Sequence, residues 1–308
     1  MDKINYSIII PHKNTSNLLK HCLDSIPLRE DIQIIIVDDN SDPKKANFDT
    51  FPGLGIPHIE IVFTKEGKGA GYARNVGLKK AVGKWVLFAD ADDFFADNFA
   101  EYLDKYKNST YDLIYFGIYR VNKNTEKNNI DPKYDKLMMD AIYKQQYDAY
   151  KYTAYVPWGK MIKLSLIKEN NISFDETMVA NDKFFSVKTA YYAKNIHFDE
   201  HRIYTYVPGH GFLTHVKTTE ANFERFCVYV RMNRFFESIS QKKYKINLIS
   251  PLKNLVDIWN MKYFFSGIKI MTNNNYNIFV ELFNFCLFLL LNKKQPKYIE
   301  KSKFILNK

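Results

Sequence analysis

Short, continuous apolar runs alternate with helical patterns along the first 120 residues of the chain. The runs lack the polar alternation of a half-exposed strand, as expected of strands buried on both faces of a parallel sheet. The predicted strands are 6–11, 31–37, 59–63, 84–89 and 111–118, and the predicted helices between them are 14–25 and 69–81. This alternation predicts an α/β fold with a mostly parallel central sheet and helices on both faces.

The pattern changes after residue 121. Residues 122–150 are polar and predict a loop followed by a helix. Further predicted elements are helical segments at 155–170 and 181–193, one or two strands within 196–207, and helices at 219–240, 249–271 and 276–292. We therefore predict an α/β domain over 1–215, divided into halves at 1–120 and 121–215, and a mainly helical extension over 216–308.

Composition excludes several classes of protein. The chain has 308 residues, of which 46% are apolar and 25% charged, which is a globular balance and not that of a disordered or fibrous protein. Its three cysteines, Cys22, Cys227 and Cys286, form no CxxC pair, so neither a disulfide framework nor a cysteine zinc site is expected. No signal peptide and no apolar stretch of about 18 residues is evident, which favours a cytoplasmic protein.

The net charge of +10 is concentrated in the last third of the chain. Residues 216–308 hold 16 of the 44 basic and 6 of the 34 acidic side chains, which leaves residues 1–215 neutral. An apolar run at 278–291 is followed by several lysines. We expect this region to lie on an anionic membrane surface, with packing against a partner protein or the rest of the tail as the alternative. Nucleic acid is not expected, because no recognition motif accompanies the charge.

Two segments carry candidate chemistry. Asp90, Asp92 and Asp93 follow a buried strand, and such a density of carboxylates suits Mn²⁺ or Mg²⁺, although aspartates also cap strand-to-helix turns. The glycine-rich stretch 67–75 opens a helix and contains an arginine, which together favour an anion site, with a flexible turn as the alternative. It matches neither the Walker A pattern nor GxGxxG.

Four motifs that follow one another along the chain indicate a more specific function for these segments. They are SIIIP at 7–11, VDDNS at 37–41, GYARNVGL at 71–78 and FADADD at 88–93. Together they resemble the nucleotide-sugar half of the family 2 glycosyltransferases, which have a GT-A fold. WGKM at 158–161, NISFDE at 171–176, Asn181-Asp182 and IYTY at 203–206 resemble the acceptor half of capsule, O-antigen and exopolysaccharide members.

The resemblance assigns roles to residues. It implies that Asp90 and Asp92 correspond to the DxD motif and bind a divalent metal, Mn²⁺ or Mg²⁺, with Asp93 supporting the loop. Arg74 would contact the diphosphate. Asp39 and the region of Pro11 would contact the base and the ribose. The full set of candidate donor-binding residues is Pro11, His12, Asn14, Asp38, Asp39, Gly71, Arg74, Asn75, Asp90, Ala91 and Asp92.

The acceptor half holds the candidate base. In the family this is usually the aspartate of a Glu-Asp pair, and here Asn181-Asp182 stands at that position, so Asp182 keeps the carboxylate. The alternative interpretation of Asp182 is a structural carboxylate that is stabilised by the dipole at a helix N-terminus. Trp158 and Asn181 are candidate acceptor-binding residues; the alternative for Trp158 is a core anchor.

The implied activity is an inverting transfer from a nucleotide-diphosphate sugar, most simply a UDP-hexose or UDP-N-acetylhexosamine, to a saccharide hydroxyl in bacterial surface polysaccharide synthesis. A lipid-pyrophosphate-linked acceptor would place the enzyme at the inner face of the cytoplasmic membrane. The alternative is a non-catalytic sugar-nucleotide-binding or scaffold subunit. A nucleotidyltransferase is disfavoured because its glycine-rich signature would lie in the first loop. The sequence leaves the sugar, the linkage and the oligomeric state open.

Overall fold

The computed structural model describes residues 4–121, 128–209, 216, 218–257 and 261–283. The chain divides into two compact units, the first of residues 1–177 and 181–212 and the second of residues 178–180 and 213–308. Each unit has its own buried apolar cluster.

The first unit is built on one mixed sheet. Within the described residues nine strands take part, in the order β3-β2-β1-β4-β8-β6-β9-β5, with β7 pairing with β6. The strands are β1 (Tyr6–His12), β2 (Ile32–Asp39), β3 (Ile59–Thr64), β4 (Trp85–Phe88), β5 (Phe94–Phe95), β6 (Leu113–Val121), β7 (Asn128–Ile130), β8 (Lys160–Lys163) and β9 (Ile196–Tyr206). The expectation of an α/β fold with a mostly parallel sheet is confirmed.

Helices follow or separate these strands. Those of the first unit are α1 (Ser16–Asp24), α2 (Ala70–Lys80), α3 (Phe99–Tyr106), α4 (Pro132–Lys144), α5 (Tyr147–Thr153), α6 (Leu164–Glu169) and α7 (Lys183–Tyr192). The second unit contains α8 (Thr219–Ser238), α9 (Ile249–Lys253), α10 (Lys262–Asn273) and a 3₁₀ turn at Lys242–Tyr244.

Four parallel strands, β1 to β4, determine where a ligand can bind. β1 pairs with both β2 and β4, and β2 pairs with β3, all in parallel. The isoleucines at 8–10 and 34–36 are buried, so both faces of these strands are covered. Parallel strands end on the same edge of the sheet, and the loops there form the usual ligand site of an open α/β sheet.

One expectation for the second half of this unit is wrong. Residues 155–170 were expected to be helical throughout, but Lys160–Lys163 form β8, and only Leu164–Glu169 are helical. β8 pairs antiparallel with both β4 and β6, so its backbone groups are satisfied across the sheet. A buried strand of four residues is too short for periodicity to distinguish it from a turn of helix.

The second unit is helical, as expected, but its helices are interrupted. The predicted helix 249–271 is two helices, α9 and α10. Asn233 on α8 exchanges two hydrogen bonds with the backbone of Ile246, at 2.6 and 2.7 Å, and so fixes the chain that returns along this helix. Most of the predicted helix 276–292 lies outside the described residues. Where the structure describes the chain, it contains no helix with the length and apolarity needed to cross a bilayer.

A buried carboxylate joins β9 to α3. Asp199 accepts hydrogen bonds from the Tyr106 hydroxyl at 2.6 Å, the Lys105 ammonium at 2.9 Å, and the His201 amide and ring at 3.0 and 2.6 Å. Burial alone would raise the pKa of Asp199, but these donors outweigh it and hold the pKa well below its usual range. The site lies where the register between β6 and β9 shifts.

We expect Asp199→Asn to lower the free energy of unfolding by about 1–3 kcal/mol at pH 7, because a buried charged acceptor is lost from several donors. The depressed pKa of Asp199 means that its contribution is complete above the unfolded-state pKa, about 4, and fades as pH falls below it. Urea unfolding at pH 7 and pH 3 measures both effects, with the exposed neighbour change Glu200→Gln as control. Equal stabilities for the two variants at pH 7 would contradict the assignment.

Candidate active site

Candidate residues from several motifs meet at the carboxyl edge of the parallel strands. His12 ends β1, Asp38 and Asp39 end β2, and Asp90 follows β4 after one residue. β1 and β2 pair through His12 and Asp38, and β1 and β4 through Ile9 and Phe88. The two acidic motifs therefore lie at the same edge of the sheet, as the sequence predicts.

His12 and Asp38 form a buried pair beneath this edge. The His12 Nδ1 lies 2.7 Å from an Asp38 oxygen, and the Thr15 amide donates to Nε2 at 3.1 Å. Nε2 therefore carries the lone pair and Nδ1 the proton. Burial raises the pKa of Asp38, but hydrogen bonds from His12 and Ser41 outweigh it and hold the pKa below its usual value. Both residues, predicted to bind the donor, have their polar atoms committed to the protein.

Asp39 differs from its neighbour. One carboxylate oxygen accepts the Gly69 amide at 2.7 Å, with the Lys13 ammonium at 3.5 Å. The other oxygen is buried and has no hydrogen-bond partner among the described residues. A buried, unsatisfied carboxylate oxygen is costly, and a ligand donor would satisfy it. Asp39 therefore occupies the amide of Gly69, the residue just before α2.

The Arg74 guanidinium joins the two halves of the unit. It is 5% exposed. Its Nη2 donates to an Asp90 oxygen at 2.5 Å, and its Nη1 donates to the Asn181 side-chain oxygen at 2.9 Å. The remaining polar atom of Asn181, Nδ2, donates to the Thr177 carbonyl at 3.3 Å. Arg74 therefore connects the acidic loop to the residue preceding Asp182.

Close packing holds α2 against residues 174, 175 and 181 of the same unit. A Cβ atom on Gly71 would lie 2.0 Å from the Asp175 carbonyl oxygen, so glycine is required by the approach of the two backbones. One turn later, Asn75 accepts the Phe174 amide at 2.9 Å and donates to its carbonyl at 3.0 Å. These two residues, predicted to bind the donor, set the position of Arg74 and Asn181.

The acidic loop has carboxylates suited to a hard cation. One carboxylate oxygen from each of Asp90, Asp92 and Asp93 lies within 4.8 Å of the other two. Asp93 is buried, accepts the Tyr204 hydroxyl at 2.8 Å and the Val207 amide at 2.7 Å, and so supports the loop. Burial and the charges of Asp90 and Asp92 raise its pKa. Asp90 and Asp92 are partly exposed, and oxygen ligands of this kind fit Mn²⁺ or Mg²⁺.

Asp182 immediately precedes the first turn of α7. Its carbonyl accepts the Ser186 amide at 3.0 Å, whereas its side chain makes no capping hydrogen bond. Removal from water raises the pKa of Asp182; Lys183 and Arg74 oppose this shift, and Asp90 adds to it. A carboxylate with a raised pKa that is not used as a cap has the properties of a general base.

Trp158 is a core residue in this structure. Its ring is 5% exposed and stacks on Tyr204 and Tyr206, at centroid distances of 5.3 and 5.5 Å. Tyr134 packs against it at 5.8 Å. So little exposed surface favours the core anchor over the sugar-stacking platform.

The remaining predicted residues support loops around the site. Pro11 is buried in β1, and Ala91 is buried between Asp90 and Asp92. Asn14 has a positive φ of 60° and accepts the Asp42 amide at 2.8 Å.

Two residues near the site have no assigned role in the sequence prediction. Tyr204 accepts the Asp90 amide at 2.9 Å and donates to Asp93, so its hydroxyl organises the acidic loop. Lys160 is buried, and its ammonium donates to the Ala154 carbonyl at 3.2 Å. The motifs IYTY and WGKM contain these two residues, but only the fold shows what their side chains contact.

The chain was compared with known proteins. The model of glycosyl transferase family 2 matches residues 7–170, more than half of the chain. EpsH of Bacillus subtilis is 24% identical over 213 residues, which cover 65% of this chain and 60% of that protein. The minor teichoic acid biosynthesis protein GgaB of the same organism is 27% identical over 180 residues, covering 56% of this chain and 19% of GgaB. The chain thus spans less than two thirds of these relatives.

Solved structures share the fold. The 1–349 fragment of S. aureus TarS in complex with UDP-GlcNAc is 19% identical, with a TM-score of 0.57 and 82% of each chain covered. A mannosyltransferase from Pyrobaculum calidifontis, in complex with GDP-Man and Mn²⁺, is 14% identical, with a TM-score of 0.60 and coverage of 100% of this chain and 86% of that one. At such identities the likeness shows the GT-A fold alone.

Proposed function

The chain belongs to glycosyl transferase family 2, and we propose that it transfers a sugar from a nucleotide-diphosphate sugar to a hydroxyl of a saccharide with inversion at the anomeric carbon. The donor we propose is a UDP-hexose or UDP-N-acetylhexosamine. The TarS complexes contain UDP-GlcNAc and UDP, which supports a uridine donor, whereas the mannosyltransferase complex contains GDP-Man.

The contact that carries this proposal is the bridge made by Arg74. It links Asp90 of the acidic loop to Asn181, whose neighbour is Asp182. An inverting transfer needs a group that stabilises the departing diphosphate and a base that activates the acceptor, and both must act on one sugar. The bridge brings the candidates for these two tasks to one place.

The donor is held by the carboxyl edge of the sheet. The unsatisfied oxygen of Asp39 accepts an N–H of the base, while Gly69 and Lys13 keep this carboxylate in place. His12 and Asp38 act beneath it as positioning residues, because their polar atoms already bind each other, Thr15 and Ser41. Arg74 holds Asp90 through its Nη2.

Asp90 and Asp92 would hold a divalent metal, Mn²⁺ or Mg²⁺, which when bound neutralises negative charge on the diphosphate. Arg74 keeps Asp90 in position, and Tyr204 does the same for the backbone at Asp90 and for Asp93. Asp90 is thus held in place before the substrate arrives, which spares reorganisation during the reaction.

Asp182 acts as the general base. Its carboxylate takes the proton of the acceptor hydroxyl while that oxygen bonds to the anomeric carbon. The bond from this carbon to the diphosphate oxygen breaks, and the diphosphate leaves with the electron pair. Because attack and departure lie on opposite faces of the sugar, the configuration inverts.

We propose that the acceptor belongs to a bacterial surface polysaccharide and is carried on a lipid pyrophosphate at the inner face of the cytoplasmic membrane. Two features support a membrane surface: the +10 charge of residues 216–308 and the exposed apolar side chains of Phe279, Val280, Leu282 and Phe283. Apolar side chains next to basic ones are typical of segments that lie in an anionic interface.

The first prediction for the proposed activity concerns donor and metal. With one of a panel of UDP-, GDP- and dTDP-sugars, Mn²⁺ should raise the melting temperature by several degrees, since a ligand at 100 times its Kd adds about 2.7 kcal/mol. Asp92→Ala should abolish this shift, because a metal ligand is lost. Asp97→Ala, at an exposed aspartate in the turn that follows β5, is the matched control and should keep it. A full shift in Asp92→Ala would contradict the metal assignment.

The second prediction concerns the base. Asp182→Asn should lower transfer by about 10²–10⁴-fold while leaving the donor-dependent thermal shift intact, since the side chain caps no helix amide. In the wild type, kcat/KM should fall as pH drops through the raised pKa of Asp182, because protonation removes the base. Transfer assays from pH 4 to pH 9 test this. Retained transfer in Asp182→Asn, or loss of donor binding, would refute the role.

A third prediction addresses the membrane. Phe279→Asp with Phe283→Asp should strongly reduce co-sedimentation with vesicles containing anionic lipid, because both exposed rings are lost from the apolar face. Leu28→Asp, an exposed position of the first unit, should leave binding unchanged. If the wild-type protein stays in solution with anionic vesicles, the membrane proposal is wrong.

A further inference from the structure

Tyr204 lies in β9 and reaches the acidic loop, which connects β4 to β5. Its side chain is fully buried. β5 pairs antiparallel with β9, with Phe95 opposite Tyr204, and the Ala96 amide donates to the Ile203 carbonyl at 3.0 Å. The chain that leaves the acidic loop is therefore attached to β9 by its backbone, and the Tyr204 side chain adds a second attachment within the loop itself.

The Tyr204 hydroxyl makes one hydrogen bond of each kind. It accepts the Asp90 amide at 2.9 Å and donates to an Asp93 oxygen at 2.8 Å. A phenol has a single proton, so these two partners together determine where the proton points. Removal from water and the charge of Asp93 raise the pKa of Tyr204 well above its usual value. The hydroxyl therefore keeps its proton and remains a donor to Asp93 at neutral pH.

Both oxygens of Asp93 are occupied by the chain around the end of β9. Tyr204 donates to Oδ2, and the Val207 amide donates to Oδ1 at 2.7 Å. Asp93 is also only 1% exposed. These contacts assign Asp93 to the support of the loop, and the partly exposed Asp90 and Asp92 are the carboxylates that a cation can reach.

Ring packing fixes the position of the Tyr204 hydroxyl. The Trp158 ring stacks on the Tyr204 ring at a centroid distance of 5.3 Å and an interplanar angle of 14°. Phe95 meets the same ring nearly at a right angle, at 5.4 Å. In a close-packed interior the phenol cannot turn away without opening the core. Trp158 and Tyr204 come from two motifs that resemble the acceptor half, yet their contacts lead to the acidic loop.

We propose that Tyr204 is a positioning residue of the metal site, and that its hydroxyl sets the affinity for the divalent cation by fixing the Asp90 backbone and the Asp93 side chain. This inference rests on the proposed role of Asp90 and Asp92 as metal ligands. Hydrogen-bonding groups outside the ligand set orient the ligands, and losing one typically costs about 10–100-fold in metal affinity or activity.

The test compares Tyr204→Phe with Tyr6→Phe. Tyr204→Phe removes both hydrogen bonds but keeps the ring, so the stack on Trp158 and the filled interior remain. Tyr6 in β1 is also fully buried, and its hydroxyl donates to the Leu103 carbonyl in α3 at 2.6 Å. Tyr6→Phe therefore deletes a comparable buried hydroxyl away from the acidic loop, and an effect of lower stability alone would appear in both variants.

Two measurements are made on the full chain. Binding of Mn²⁺ alone is followed by the electron paramagnetic resonance signal of the unbound ion, which needs neither donor nor acceptor. We expect Tyr204→Phe to raise the Kd for Mn²⁺ by about 10-fold or more and Tyr6→Phe to keep the wild-type Kd. In transfer assays, the Mn²⁺ concentration that gives half-maximal activity should rise in Tyr204→Phe, whereas the KM of the acceptor should stay unchanged.

A wild-type Kd for Mn²⁺ in Tyr204→Phe would overturn the inference, and so would an equal loss of affinity in Tyr6→Phe. A raised acceptor KM with an unchanged Kd for Mn²⁺ would assign Tyr204 to the acceptor and not to the metal. Because the binding measurement uses no sugar, a chain that shows the expected loss but transfers no sugar would refute the proposed transfer and leave the role of Tyr204 intact. A wild-type chain that binds no Mn²⁺ would refute the metal site and this inference together.

Discussion

The arrangement of the candidate site depends on one buried cation. The Arg74 guanidinium is 5% exposed and is kept in the interior by the Asp90 carboxylate and the Asn181 amide oxygen. A buried charge is tolerated only where such partners compensate it. The constraint therefore runs both ways: Arg74 fixes the acidic loop and the start of α7, and these fix Arg74. Residues 107 positions apart in sequence become parts of one site.

Backbone packing makes this contact possible. Gly71 allows α2 to approach the Asp175 carbonyl, and Asn75 binds both polar backbone groups of Phe174. Arg74 lies between these two residues on the same helix, so its direction is determined by how closely α2 packs against residues 174 and 175. Residues of the motif 71–78 therefore contact the acceptor half of the first unit directly, through Gly71, Arg74 and Asn75.

The parallel half of the sheet could be predicted from sequence because its strands are buried on both faces and read as continuous apolar runs. β8 could not, since its four residues acquire their structure from the strands on either side. The acidic motifs were placed correctly at the sheet edge, because strand ends follow from strand order. The roles of individual side chains could not be predicted from strand order. Nothing local indicates that His12 and Asp38 bind each other, or that Trp158 stacks on two tyrosines; those contacts join distant parts of the chain.

The asparagine at 181 is the clearest departure from the family pattern, and the structure gives it a physical meaning. Its oxygen accepts from Arg74 as a glutamate oxygen would, but it adds no negative charge beside Asp182. A second carboxylate there would raise the pKa of Asp182 further, in the same direction as Asp90 already does. With Asn181, the cations Lys183 and Arg74 act on Asp182 against fewer negative charges. The substitution therefore favours the ionised form of the Asp182 carboxylate, which is the form that the proposed role as base requires.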